Sequence, residues 1–293
     1  MKQYEGTYKL WWQYCQTADV DMYKAEVNHV ISFLQSLFDA KNYQFGTFNS
    51  HRSALSLILG ENIQKDYRIS RYMKGIAKLR PSRPKYNCTW DPQQVINFLE
   101  KWDNSKISLQ HLSYNVATLL TLVTGQRIQT ISLIRTSNFR ESSSDIQILI
   151  TDQIKTSNIN KLQPCLQIPF FLENPSICPA TAIKNYLEIT REKRSASDDR
   201  LFITHKSPHK PATKQTVSRW VKNTLKLAGI DTDIFKPHSA RHASTSAALK
   251  SGIPMESIMQ AAGWIRETTF TRFYQRKIVN NTTFAEQILS LES

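Results

Sequence analysis

The stretch Arg80-Pro81-Ser82-Arg83-Pro84-Lys85 constrains the fold more than any other part of the chain. Each proline lacks a backbone N–H and restrains its predecessor to extended geometry, so no regular helix or central strand runs through it. A new helix is expected directly beyond. Asp91 supplies a side-chain acceptor at its N-cap, and Pro92 brings the fixed φ suited to a first helical position. The 293 residues therefore read as two domains, over 1–80 and 92–293, joined by a linker over 81–91.

Before the prolines the periodicity is helical. Val27, Val30, Ile31, Leu34, Leu37 and Phe38 recur at three- and four-residue steps between Asp21 and Ala40, and Ala54, Leu55, Leu57, Ile58 and Leu59 continue the pattern. A bundle of about four helices is the expected outcome. Beyond the linker, helices are expected over 92–103 and 107–123, the second stopped by Gly125. Two strand-like runs follow, Ile146–Ile150 and Leu166–Phe170, joined by a polar loop that carries Lys155. After Pro179 the pattern is again helical. The fold class is mainly α with one small antiparallel sheet.

Charge narrows the function. The chain has 38 Lys and Arg against 24 Asp and Glu, a formal net charge of +14, which points to a polyanionic partner, either nucleic acid or an anionic membrane face. No run of eighteen apolar residues suggests a membrane span, and the first residues show no secretory pattern. Cys15, Cys88, Cys165 and Cys178 form no metal-ligand spacing. An intracellular protein with reduced thiols, no metal and no cofactor is expected. The cations are clustered. Lys65, Arg68, Arg71, Lys74, Lys78, Arg80, Arg83 and Lys85 face a single acid, Asp66; Lys206, Lys210, Lys214, Arg219, Lys222 and Lys226 face none over the same span. Solvated helix faces usually mix both signs, so these two patches, one per domain, are candidate phosphate contacts.

His238-Ser239-Ala240-Arg241 places an imidazole and a guanidinium one helical turn apart, able to converge on one ligand. Alone, that spacing is commonplace. Its context adds Arg127 directly after a helix stop (Thr124-Gly125-Gln126-Arg127), Gly263-Trp264, and Phe270-Thr271-Arg272-Phe273-Tyr274. Tyr274 is the only tyrosine beyond Tyr186, and a phenol near arginines and a histidine is a candidate nucleophile toward phosphorus. Other features have plain readings. Trp220 sits at core spacing with Val217, Val221 and Leu225, and His242 points away from its neighbours' ligand as a structural residue. His205 and His209 are equally well phosphate contacts or simply exposed.

Arg127, Lys155, His238 with Arg241, Trp264 and Tyr274, in that order, resemble the tyrosine recombinase (phage integrase) family pattern of Arg, hairpin Lys, His-x-x-Arg, His or Trp, and Tyr. The resemblance covers most of the chain. The wording Ala262-Gly263-Trp264 and Thr269-Phe270 to Arg272-Phe273-Tyr274 is especially similar to recombinases of eukaryotic DIRS-like and Crypton elements. In this light the basic helical segment before the prolines looks like the family's core-binding domain, and 92–293 like its catalytic domain. Three departures stand out. Thr130 occupies a position where many members carry an acid, Trp264 replaces the commoner second histidine, and the Trp264-to-Tyr274 gap is one residue longer than in most bacterial members.

The resemblance implies a DNA strand transferase working without metal or ATP. Tyr274 attacks a phosphodiester, Arg127 and Arg241 clamp its oxygens, Lys155 protonates the departing 5′-oxygen, and His238 and Trp264 complete the hydrogen-bond cage. It implies double-stranded DNA as partner and a homotetramer on DNA. The amphipathic segment 283–292 either covers its own domain or docks onto a neighbouring protomer. The expected location is intracellular, and nuclear in a eukaryote. Two rivals share the residues: a domesticated DNA-binding module without cleavage, and a type IB topoisomerase-like enzyme that nicks and reseals without exchange.

Overall fold

The computed structural model describes residues 2–103, 106–159, 162–195 and 199–279. The chain divides into two units, Met1–Arg83 and Pro84–Ser293.

The first unit is built from α1 (Glu5–Ala18), α2 (Val27–Ala40), α3 (Phe45–Leu59), α4 (Glu61–Lys65) and α5 (Tyr67–Leu79). The helix expected from Asp21 starts later because Glu26 caps α2: its side chain accepts an N–H of the first turn while His29 Nδ1 accepts the Glu26 N–H. Trp11, Val30, Phe33, Leu34, Phe48, Leu55, Ile69 and Met73 close the core of this unit. In α5 the Asp66 carboxylate caps the first turn, and Ile69, Met73 and Ile76 turn inward. Arg71, Lys74 and Lys78, at i, i+3 and i+7, are left exposed on another face. The basic run is not uniform, however. Lys65 pairs with Glu61 and Arg68 with Asp66. Arg80 departs from the expected phosphate contact: its guanidinium lies 3.7 Å over Phe38 and donates to the carbonyls of Phe38 and Lys41, closing the C-terminal end of α2.

In the second unit the elements are β1 (Cys88–Trp90), α6 (Pro92–Glu100), α7 (Leu109–Thr124), α8 (Ile128–Ser132), β2 (Phe139–Glu141), β3 (Asp145–Leu149), β4 (Cys165–Pro169), α9 (Pro179–Thr190), α10 (Lys214–Leu227), α11 (Ser239–Lys250), α12 (Met255–Ala262), α13 (Glu267–Phe273) and β5 (Lys277–Val279). Asp91 and Pro92 start α6 as expected. Nearly every residue of α7 is buried, because α9, α10 and α11 pack around it. It is the axis of the core, with Trp220 of α10 fully enclosed beside it. The sheet is antiparallel in the order β2-β3-β4, with Ile146 opposite Ile168 and Ile148 opposite Leu166 on the buried face.

Three strands, β1, β2 and β5, were invisible to pattern reading. β2 has three residues, none buried, so it offers no alternation. β1 falls inside the expected linker; it pairs in parallel with β5, and the buried Trp90 donates its indole N–H to Ser239 Oγ at 2.8 Å. Three residues paired across most of the domain's length leave no local signature.

Candidate active site

Gly125 ends α7 in the left-handed region, φ 57°. A Cβ there would lie 3.2 Å from Thr245 Cγ2, so only glycine lets the end of α7 come this close to α11. The approach brings the Gly125 carbonyl 2.6 Å from Arg241 Nη1. Arg127, two residues on and partly buried, is the N-cap of α8.

Arg241 is 1% exposed, yet its Nε and Nη2 have no hydrogen-bond partner. Burial and the charge of Arg127 depress it to about 9, and only the pull of the Tyr274 oxygen works the other way. Its guanidinium centre lies 4.1 Å from the Trp264 ring centroid and 5.2 Å from that of Tyr274. Trp264 is brought back under it by the left-handed Gly263, with the Trp264 N–H bonded to Met259 O. The Trp264 indole N–H is buried and also lacks a partner. Apart from the nearby Tyr274 oxygen, nothing in the protein answers these buried donors, a costly arrangement unless a ligand with several acceptor oxygens completes it.

His238 caps α11. Burial, Arg241, Arg127, Lys85 and Lys155 push it down to about 4, so it is a neutral imidazole near pH 7. Its Nε2 lies 3.4 Å from the Tyr274 hydroxyl. Tyr274 directly follows α13 and is tied down on both sides: its N–H bonds to Phe270 O, its carbonyl accepts from Ser246 Oγ, and the chain then enters β5. The longer gap after Trp264 thus ends with the Tyr274 ring inside the cage. Lys155 sits exposed in the β3–β4 connection. The base of that connection is anchored by Asp152, which pairs with Arg135 and Arg200 and is held at about 2 by them.

The structure therefore brings Arg241, His238, Trp264 and Tyr274 into contact, with the charges of Arg127 and Lys155 felt at the same imidazole or guanidinium. No carboxylate is among the groups that shift Arg241, His238 or His242. Sequence reading missed His242. It does not point elsewhere: it is 4% exposed and stacks on Tyr274, ring centroids 4.5 Å apart at 23°. Its position one residue after Arg241, on the same helical face as His238, was the available signal. Of the second basic patch, Lys206, Lys210 and Arg219 line a cavity of about 700 Å³ with His205, Tyr114 and Asn223, while Lys214 is exposed and Lys222 partly so. Arg83 and Lys85 are exposed, Lys85 over the Tyr86 ring.

A helical domain with a small antiparallel sheet, in which a phenol meets guanidinium, imidazole and indole with no carboxylate among the described groups acting on them, is of the class that handles phosphodiesters through a tyrosine. The chain belongs to the phage integrase family, the tyrosine recombinases: the family's sequence model matches residues 90–280. No curated protein matches it significantly. Its fold is similar to that of the XerH site-specific recombinase in a post-cleavage complex with palindromic difH substrate, at 20% identity over 84% of this chain and 67% of that one, TM-score 0.59. The Tn1549 transposon integrase in complex with transposon right end DNA is 17% identical over 92% and 85%, TM-score 0.55. A lambda integrase dimer bound to a COC′ core site is 16% identical over 96% and 93%, TM-score 0.52.

Proposed function

We propose that this tyrosine recombinase cuts and rejoins specific sites in double-stranded DNA through Tyr274. The observation that carries the reading is the buried, uncompensated Arg241 guanidinium against the only phenol of the C-terminal region, with the Trp264 N–H beside it unpaired. A phosphodiester supplies the missing acceptors. The Tyr274 oxygen attacks phosphorus as its proton passes to the neutral His238 Nε2. Arg127, Arg241 and Trp264 stabilise charge on the non-bridging oxygens. The bond to the 5′-oxygen breaks and Lys155 supplies its proton, leaving a 3′-phosphotyrosine and a 5′-hydroxyl. Attack by a 5′-hydroxyl from another strand reverses each step, so the ester bond is conserved.

Arg71, Lys74, Lys78 and Arg83 in the first unit, and Lys85, Lys206, Lys210, Lys214, Arg219 and Lys222 in the second, are proposed backbone contacts. The domain roles follow: a DNA-clamping unit over 1–80 and a catalytic unit over 92–293. The working form is a homotetramer on DNA, consistent with relatives captured on DNA as dimers. The segment 283–292, proposed to join protomers, lies outside the described residues. No described helix is long and apolar enough to cross a membrane, and the proposed location is intracellular, where the DNA is.

The test is a nicked suicide duplex incubated in EDTA and resolved on a denaturing gel. A covalent adduct is expected from the unaltered protein and none from Tyr274→Phe. Arg241→Ala should lose the adduct and keep most DNA affinity. No adduct from the unaltered protein on its own flanking DNA sites refutes cleavage and leaves the binding module. Adduct without exchange between two labelled duplexes leaves the nicking and resealing enzyme.

A further inference from the structure

One face of α11 is given over to Tyr274. His238, Arg241, His242 and Ser246 stand at i, i+3, i+4 and i+8, so all four look the same way. His238 meets the phenol oxygen and Arg241 the ring face. The other two have no part in the chemistry above. Yet His242 makes the most nearly parallel ring contact that Tyr274 has, and Ser246 Oγ donates to the Tyr274 carbonyl while accepting the Arg276 N–H, both at 3.0 Å.

His242 is itself held. Tyr86 meets it edge-on at 5.1 Å and 86°, and the Tyr86 hydroxyl accepts the Lys236 N–H. His238 crosses it at 5.6 Å and 88°. The ring of Tyr274 is therefore placed by His242 and by Trp264, whose centroid is also 4.5 Å away at 49°. Burial, with the charges of Arg276, Arg241 and Lys85, keeps the His242 imidazole neutral near pH 7, and a neutral plane stacks on a phenol without drawing a counter-ion into the site.

We propose that His242 is a positioning residue for the nucleophile: with Ser246 it fixes the ring and backbone of Tyr274 on its own chain's α11, so that the phenol oxygen is aimed at the arginine pocket before DNA arrives. This rests on Tyr274 being the nucleophile. A nucleophile freed to swing by about 1 Å loses on the order of 10²-fold in rate, which sets the scale of the effect.

The experiment measures single-turnover adduct formation at saturating suicide duplex, DNA affinity, and cleavage of the same duplex carrying a 5′-bridging phosphorothiolate, whose sulfur leaves without a proton donor. His242→Ala is expected to form adduct about 10–100-fold more slowly, with affinity within roughly 2-fold, on both duplexes. His242→Phe, which keeps a stacking plane and no nitrogen, is expected to recover to within about 5-fold of the unaltered rate. Unaltered cleavage by His242→Ala would overturn the proposal. So would rescue of that variant by the phosphorothiolate, which would put His242 at the leaving group, or a His242→Phe as slow as the alanine variant, which would make a nitrogen essential. Should His242→Ala fail to fold, Ser246→Ala decides: slower cleavage with intact DNA affinity supports the cradle, and unaltered cleavage sinks it. Tyr274→Phe runs in the same gel; an adduct from it removes the nucleophile assignment itself, whereas a silent Tyr274→Phe beside a fast His242→Ala removes only the positioning role.

Discussion

Replacing Arg241 with methionine should make the DNA-free protein more stable while abolishing cleavage. The guanidinium is 1% exposed, has no ion pair among the described residues, and is pushed by burial and by Arg127 more than three units below its ordinary value, to about 9. At roughly 1.4 kcal/mol per unit, keeping it charged there costs about 5 kcal/mol. Two contacts work against that figure and would be lost with the side chain. The charge-assisted bond from Nη1 to the Gly125 carbonyl, 2.6 Å long, is worth about 2 kcal/mol. The stack on Trp264 and Tyr274 adds about 1 kcal/mol. Methionine is long, flexible and apolar enough to fill most of the same space. The expected gain is about 2 kcal/mol, or roughly 4–8 °C in the melting midpoint for a unit of this size. Thermal and urea denaturation of the full-length variant without DNA measure it. Added inorganic sulfate should raise the midpoint of the unaltered protein more than the variant's, because both share the basic surface and the general salting effect while only the native pocket adds a buried anion site. A variant melting at or below the unaltered midpoint would show that the guanidinium is compensated within the protein, and Arg241 would then not be held in readiness for a phosphate.

Two further outcomes follow from the charges. His238 and His242 are neutral in the fold, at about 4 and about 3 against 6.5 for a free imidazole. The unfolded chain therefore binds protons that the native one refuses, and stability, complete above pH 6.5, should fall as pH drops toward 4, by about 2 kcal/mol per ring at pH 5. His51 and His205 are lowered too, so the measurement is the difference in urea midpoint between pH 7.5 and pH 5 for the unaltered protein and for His242→Phe; equal pH sensitivity refutes it. Changing Arg71, Lys74 and Lys78 of α5 together to glutamine should reduce the slope of log affinity against log salt by about 2–3, measured in the Tyr274→Phe background, and an unchanged slope would take α5 off the DNA.

What the amino-acid pattern revealed and what it hid have a common physical cause. Helices with buried stripes, the stop at Gly125, the cap at Asp91 and the two longer strands depend on neighbours within a few residues, and all were readable. β1 and β5 gain their hydrogen bonds from each other across most of the second unit, so nothing local marks either. The same distinction explains the site. Arg127, His238, Arg241, Trp264 and Tyr274 were singled out because their order and spacing resemble a family pattern, not because the segments predict one another's position. His242 was misread because the partner that defines its role, the Tyr274 ring, comes from a segment whose approach only the fold supplies. Arg80 was misread for the same reason: a cation in a basic run looks available until Phe38 and two carbonyls are seen to hold it.

Thr130 bears on the charge of the same pocket. Many family members carry an acid there, and here the position is a buried threonine. Neither Arg127 nor Arg241 then has an ion pair among the described residues, and the charge of Arg127 acts on Arg241 as repulsion. Arg241 is anchored instead by a neutral peptide carbonyl, which fixes its direction without cancelling its charge. The pocket is thus shaped but electrostatically incomplete, held by the packing of α7 on α11 against its own self-repulsion. A bound phosphodiester supplies the absent negative charge and relieves that repulsion in the same event. On the proposed mechanism, negative charge that grows on phosphorus during attack would be met by donors already in place, with no carboxylate among the described residues competing for them. An acid restored by Thr130→Glu would stabilise the empty pocket and, by the same reasoning, weaken its hold on that growing charge.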